Sequence, residues 1–257
     1  MQLQLIRNAT LKLSVAGRTV LVDPYLAPRH SLPSYTGRSP NPMVDLPLSI
    51  DDILDGVELV VVSHLHSDHF DSVAKEVVPK RLPVICRHGD EETIRAAGFA
   101  DVTPLSDALT WNGIGFRPRE GSHGLGPVVG KMGPVTGFLL EAPGEPTLYW
   151  AGDTVLYPPV IATILKHRPE IIVTHSCGAR WDGDLIVMDA AETLVVCDLA
   201  PWATVVATHM EALDHATVGR ADLRLAAKQA HVGAERLRIP ADGETLVLES
   251  PRTPVSG

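Results

Sequence analysis

The sequence predicts an α/β protein in which two packed sheets are covered on the outside by helices. Three observations carry this expectation. Apolar strand-like runs come in groups with helical stretches between them, the second half of the chain repeats the rhythm of the first, and it does so without a visible sequence repeat. Periodicity alone leaves several α/β arrangements open.

Taken in order, residues 3–15 and 18–23 alternate or run apolar around Ala16-Gly17, which reads as a β-hairpin ending in Asp23-Pro24. Residues 27–49 hold five prolines among scattered polar residues and form an excursion rather than a core element. The apolar run Val57–Val62 is a buried strand. Asp71–Val78 is a short helix, Leu82–Cys86 a strand, and Asp90–Ala97 a helix closed by Gly98. Weaker strands follow near 101–104 and 109–119. In the second half, Val135–Glu141 and Thr147–Ala151 are strands, and Pro158–His167 is a helix with proline at its start. Ile171–Thr174 is a buried strand, Asp189–Leu199 a helix, Ala203–Thr208 a strand and Thr217–His231 an amphipathic helix. Thr245–Leu248 closes the pattern, and the tail Ser250–Gly257 is expected to fray.

At 257 residues, 45% hydrophobic and 21% charged, the chain can bury a substantial core. A net charge of −9 disfavours a polyanion, so no nucleic acid is expected as a partner. Cys86, Cys177 and Cys197 are odd in number and form no CxxC pair, which argues against a disulfide framework and fits a reducing cytoplasm. The first residues alternate like a strand and lack the apolar core of a signal peptide, and no run is long enough to span a membrane.

The most informative stretch is His64-Leu65-His66-Ser67-Asp68-His69, placed where the strand Val57–Val62 runs out into a loop. Alternate residues of an extended segment face one way, so His64 and His66 can grip one ion while Asp68 and His69 face a neighbouring position. Neutral imidazoles with carboxylates suit zinc, manganese or iron better than calcium or magnesium. Further ligands are expected at the ends of later strands. His123 follows the strand-like 113–118, Asp153 leaves Leu148–Ala151 in a Gly-Asp-Thr triplet, and His209 ends Val205–Thr208.

With these residues in order, the chain resembles the metallo-β-lactamase superfamily of metal-dependent hydrolases. Asn8-Ala9-Thr10 and Leu21-Val22-Asp23-Pro24 extend the likeness towards the beginning of the chain. The early Asp-Pro, Tyr149–Thr154 and Met188-Asp189-Ala190-Ala191-Glu192 make it similar to the branch containing L-ascorbate-6-phosphate lactonase. The resemblance implies a four-layer αββα sandwich, a single domain over 1–257 made of halves near 1–125 and 126–257. It implies that His64, His66 and His123 bind one metal, that Asp68, His69 and His209 bind a second, and that Asp153 bridges them. Asp23 would orient a ligand histidine from outside the cluster.

Two divalent transition-metal ions, Zn2+ first with Mn2+ or Fe2+ as alternatives, would activate a water against a small lactone, ester or phosphoester. Asp68 would orient the nucleophile, and Asp68 or Asp153 would pass a proton to the leaving group. Cys177 with the nearby His175 offers a thiol-enzyme reading, but Cys177 falls in an irregular stretch, 176–186, that reads as a rim loop. Arg29, His30, Tyr35 and Arg38 in the excursion, Lys131 in the loop 121–134, and Arg180-Trp181 are candidates for shaping the pocket, as are His175 and His215 at its rim. A metal-binding sensor or association module with little turnover is the different-class alternative, and an iron redox protein a third. Assembly with further copies of the chain is left open.

Overall fold

The central strands are apolar on both faces, so each sheet can be covered on both sides. In the computed structural model, which describes residues 1–249, the chain opens with β1 (Gln2–Arg7), β2 (Thr10–Val15) and β3 (Arg18–Val22). Helix α1 (Ile50–Leu54) precedes β4 (Leu59–Val62), α2 (Ser72–Val77) precedes β5 (Val84–Arg87), and α3 (Glu91–Ala96) precedes β6 (Val102–Leu105). Next come β7 (Leu109–Trp111), β8 (Ile114–Glu120), α4 (Val128–Met132), β9 (Thr136–Glu141) and β10 (Leu148–Trp150). Helix α5 (Pro158–His167) and β11 (Ile171–His175) lead to a small hairpin, β12 (Arg180–Trp181) with β13 (Asp184–Leu185). The chain closes with α6 (Ala190–Leu199), β14 (Thr204–Thr208), α7 (Arg220–Gln229), β15 (Leu237–Arg238) and β16 (Thr245–Val247).

The strands form two seven-stranded sheets, ordered β16-β1-β2-β3-β4-β5-β6 and β15-β14-β11-β10-β9-β8-β7. In β4, Leu59 and Val61 enter the cluster between the sheets, while Val60 and Val62 enter one under α2 and α3. In the other sheet Ile171, Val173 and Trp150 face inward, while Ile172, Tyr149 and Val205 meet α5, α6 and α7. Helix, sheet, sheet, helix is therefore the order of layers, the αββα sandwich. Each large side chain buried there contributes about 2–3 kcal/mol.

Local chemistry explains where the boundaries differ from expectation. Residues 3–15 are two strands, because Asn8 adopts a left-handed conformation (φ 57°) and reverses the chain. The stretch 109–119 is likewise a hairpin, turned at Asn112-Gly113, both with positive φ. Helix α1 starts on Ser49, whose side chain accepts from the N–H of Asp52, a cap that follows directly on the excursion. The loop 121–134 contains α4, and 176–186 contains the β12–β13 hairpin. The sheets divide the chain between Leu105 and Leu109, earlier than the expected boundary near 125, and β16 returns to pair with β1. The tail 250–257 lies outside the described residues. No described helix is long and apolar enough to cross a membrane.

Candidate metal centre

Parallel strands deliver the site residues to one end of the two sheets. The parallel strands β3, β4 and β5 pair side by side, so Asp23 and Ser63-His64 leave the first sheet together. Beyond them the chain curls, the N–H groups of His69 and Phe70 both reaching the carbonyl of His66 at 3.0 Å. Asp71 then caps α2 through the N–H of Ala74. From the second sheet, β10, β11 and β14 run parallel and bring Asp153, His175 and His209 alongside. His209 and Asp23 both sit at positive φ (66° and 46°), strain that the surrounding hydrogen bonds hold in place.

Two groups of possible donor atoms result. His64, His66, His123 and Asp153 offer atoms within 4.8 Å of one another, as do His69, Asp153, His175 and His209. Asp153 belongs to both. Its Oδ2 lies 3.3 Å from His123 Nε2 and from His69 Nε2, and 3.9 Å from His64 Nε2; its Oδ1 lies 3.4 Å from His209 Nε2. Asp68 Oδ2 stands beside the second group, 3.1 Å from His209 Nε2 and 3.4 Å from His69 Nε2. All seven residues expected from sequence are thus brought together, and all but half-buried His66 are buried.

Apart from His175, each histidine uses its outer nitrogen on a neighbour and points the other inward. His123 Nδ1 donates to the carbonyl of Ile186 and His66 Nε2 to that of Met132, both at 2.8 Å. His69 Nδ1 donates to Asp23 Oδ2 at 2.7 Å. Asp23 also accepts from Ser63 Oγ at 2.6 Å, and Ser63 Oγ in turn accepts from His64 Nδ1 at 3.1 Å. One carboxylate therefore orients a histidine in each group. Asn8 adds a support that the sequence does not signal: its side chain donates to the Asp68 carbonyl, and its own carbonyl accepts from the N–H of His209.

The electrostatics describe a place built for positive charge. Burial drives the Asp68 and Asp153 carboxyls upward, but the surrounding imidazoles outweigh it and hold both well below the ordinary range. Against its own burial, His69 is pushed up to about 10 by Asp153, Asp68 and Asp23, and His209 is also raised, chiefly by Asp153. Burial moves His64 down, and takes His175 down to about 4. The same carboxylate field that raises His69 and His209 would favour cations bound there. His64 Nε2, buried without a hydrogen-bond partner among the described residues, is a lone pair awaiting one. The histidines and carboxylates form a cluster able to bind metal ions.

Two expectations need correction. His175 is not at the rim; it is fully buried, with Nδ1 2.5 Å from Asp153 Oδ1. Cys177 is not on an exposed loop either. It too is buried, and its Sγ lies 3.4 Å from His209 Nδ1, because residues 177–178 hydrogen-bond to Thr217, Val218 and Met188.

A cavity of about 570 Å3 opens on the cluster, lined by Asp68, His123 and Asp153 together with Tyr35, Met132, Trp181, Ile186 and His215. Lys131 is the one lysine or arginine among its lining residues, and its Nζ is 2.6 Å from Asp182. Arg29, Arg38 and Arg180 do not line it. They contact Asp45, Thr36 and the Gly183 carbonyl.

Comparison with known proteins agrees with this architecture. The Beta-lactamase superfamily domain matches residues 18–210. UPF0173 protein YddR of Bacillus subtilis is 38% identical over 252 residues, 95% of this chain and 99% of that protein. A UPF0173 metal-dependent hydrolase of Methanocaldococcus jannaschii is 25% identical, covering 89% and 94%. Among solved structures, a possible metal-dependent hydrolase from Veillonella parvula superposes with a TM-score of 0.93 at 37% identity, over 96% of this chain and 99% of that one. The isothiocyanate hydrolase from Delia radicum gut bacteria gives 0.91 at 34%, with the same coverage. The chain belongs to the beta-lactamase superfamily and, within it, to the UPF0173 metal-dependent hydrolases.

Proposed function

We propose that the protein hydrolyses small, uncharged, partly apolar molecules with an electrophilic carbon, such as a lactone, an ester or an isothiocyanate. The cavity carries this reading. Met132, Trp181 and Ile186 give it apolar walls, and the one ammonium group among its lining residues is paired with Asp182, so the walls themselves carry no free lysine or arginine for a phosphate. The 34% identity to an isothiocyanate hydrolase supports an electrophilic carbon as the target. Phosphoesters, and the sugar-phosphate lactone that the resemblance suggests, fit these walls less well.

His64, His66 and His123 would hold one cation, His69, His209 and Asp68 the other, with Asp153 shared. Zinc is the first choice by donor type. Ions bound there would acidify a water and polarise the substrate's electrophilic group. Asp68 reaches the cavity and takes up the proton of the attacking water, and returns it to the departing oxygen or nitrogen as the bond to carbon breaks. Tyr35 and His215 add hydrogen-bonding groups to walls that are otherwise apolar. The three cysteines are unpaired and buried, in keeping with the cytoplasmic location we propose.

The test is elemental analysis of protein purified without added metal, together with a hydrolysis panel. The panel contains an aryl lactone, an aryl acetate, benzyl isothiocyanate, bis(p-nitrophenyl) phosphate and a phosphomonoester. About two transition metals per chain and turnover confined to the carbon electrophiles are expected. Fastest turnover of a phosphoester would overturn the substrate class, and no turnover at full metal loading would favour a binding role.

A further inference from the structure

His175 is absent from the ligand set expected for this superfamily, yet it touches the residue on which both groups depend. It stands at the end of β11, fully buried, with Nδ1 2.5 Å from Asp153 Oδ1. Its Nε2 has no hydrogen-bond partner among the described residues, and Trp150 packs edge-on against the ring, centroids 4.9 Å apart at 88°. A carboxylate oxygen can only accept, so at 2.5 Å the contact is His175 Nδ1–H donating to Asp153 Oδ1. Ligation of a metal through Nδ1 would send that proton to Nε2, leaving a buried donor with no acceptor.

We propose that His175 is a positioning residue for the shared aspartate and not a metal ligand. The bond fixes the plane of the Asp153 carboxylate. Oδ2 then faces His64, His69 and His123, and the second lone pair of Oδ1 remains free beside His209. Without the donor, Asp153 can rotate and serve one group at the expense of the other. The inference rests on reading the two groups as a two-cation centre.

Titration of Co2+ into the metal-free full chain, followed by visible absorption and a competing chelator, tests it without any substrate. Three variants are compared with the wild type: His175→Asn, whose amide N–H can replace Nδ1–H; His175→Gln, whose amide falls nearer the Nε2 position; and His175→Leu. The wild type is expected to bind two equivalents. His175→Gln and His175→Leu should bind one of them about 10–100-fold more weakly, with a changed Co2+ spectrum, and His175→Asn should stay within a few-fold of wild type. If His175→Leu does not fold, the Asn and Gln pair still decides. Equal loss in Asn and Gln would make His175 a ligand and overturn the proposal. Two equivalents at unchanged affinity in His175→Gln would overturn it as well. A wild type that binds no cation would overturn the two-cation reading, and this inference with it.

Discussion

His66 and His123 hand their outer nitrogens to backbone carbonyls, of Met132 and Ile186, whereas His69 and His209 hand theirs to buried side chains, Asp23 and Cys177. The carbonyl anchors belong to residues that also line the cavity. No single substitution removes a carbonyl, and anything that shifts the cavity wall shifts these histidines with it. The side-chain anchors lie in the core and can be changed one at a time. Asp23 also brings a carboxylate, which helps to raise His69 against its burial. The cavity-facing group is thus set by the position of a loop and the core-facing group by the chemistry of its neighbours. Asp23 crosses the divide, because it reaches His64 through Ser63.

Replacing Asp153 should have the largest effect, since it removes the carboxylate common to both groups. Asp153→Ala is expected to lose more than about 100-fold in activity, beyond what removing an outer partner of a ligand costs, with metal content per chain falling in parallel. Full metal content in that variant would break the shared-ligand assignment. Asp23→Ala should weaken the core-facing cation by about 10–100-fold and the cavity-facing one less. Ser63→Ala should weaken the cavity-facing cation more than the core-facing one. Chelator competition reads both, and equal weakening of the two cations by Ser63→Ala would erase the distinction. Trp181→Ala, on the cavity side, should raise KM about tenfold through lost apolar contact while leaving metal content unchanged. A fall in metal content there would show that the wall and the ligands are more tightly joined than the Ile186 carbonyl alone suggests.

The same contrast governs what could be read from the sequence. His64 and His66 were legible from their alternation beyond the strand Val57–Val62, and His123, Asp153 and His209 because each follows a strand-like run beside a small residue. Two packed sheets under outer helices were legible because continuous apolar runs such as β4, β11 and β14 come in groups with helices between them, while the four-layer order was given by the resemblance. The carbonyl anchors were not, since any residue type supplies a carbonyl and Met132 and Ile186 look like ordinary apolar positions. The burial of His175 and Cys177 was hidden for another reason. It depends on β11 lying between β10 and β14, a long-range pairing that residues 171–178 do not encode. The turns at Asn8 and Asn112-Gly113 were readable in principle, since asparagine and glycine favour left-handed backbone.

The smallest expected effect on the metal site itself concerns a residue on the cavity side that touches neither group. Asp214 is buried and accepts from Ser34 Oγ at 2.5 Å, Thr36 Oγ1 at 2.6 Å, the N–H groups of Tyr35 and Thr36 at 3.0 Å, and Asn41 Nδ2 at 3.1 Å. Although burial opposes it, these donors hold the carboxyl well below the ordinary aspartate range. They tie the proline-rich excursion to the segment carrying His215, whose ring meets Tyr35 edge-on at 4.9 Å. Asp214→Asn should cost about 2 kcal/mol near neutral pH. Because the folded-state pKa is depressed, the stabilisation is fully present above the unfolded value of about 4 and is lost as pH falls through the lower folded value. The gap in stability between wild type and variant, followed by urea unfolding, should therefore narrow below about pH 4 and stay constant above pH 6. A gap that persists unchanged down to pH 3 would mean that hydrogen-bond geometry, not charge, secures the excursion. Metal content should not change with the substitution, because this anchor serves the wall and Tyr35 while the clustered histidines keep their own supports.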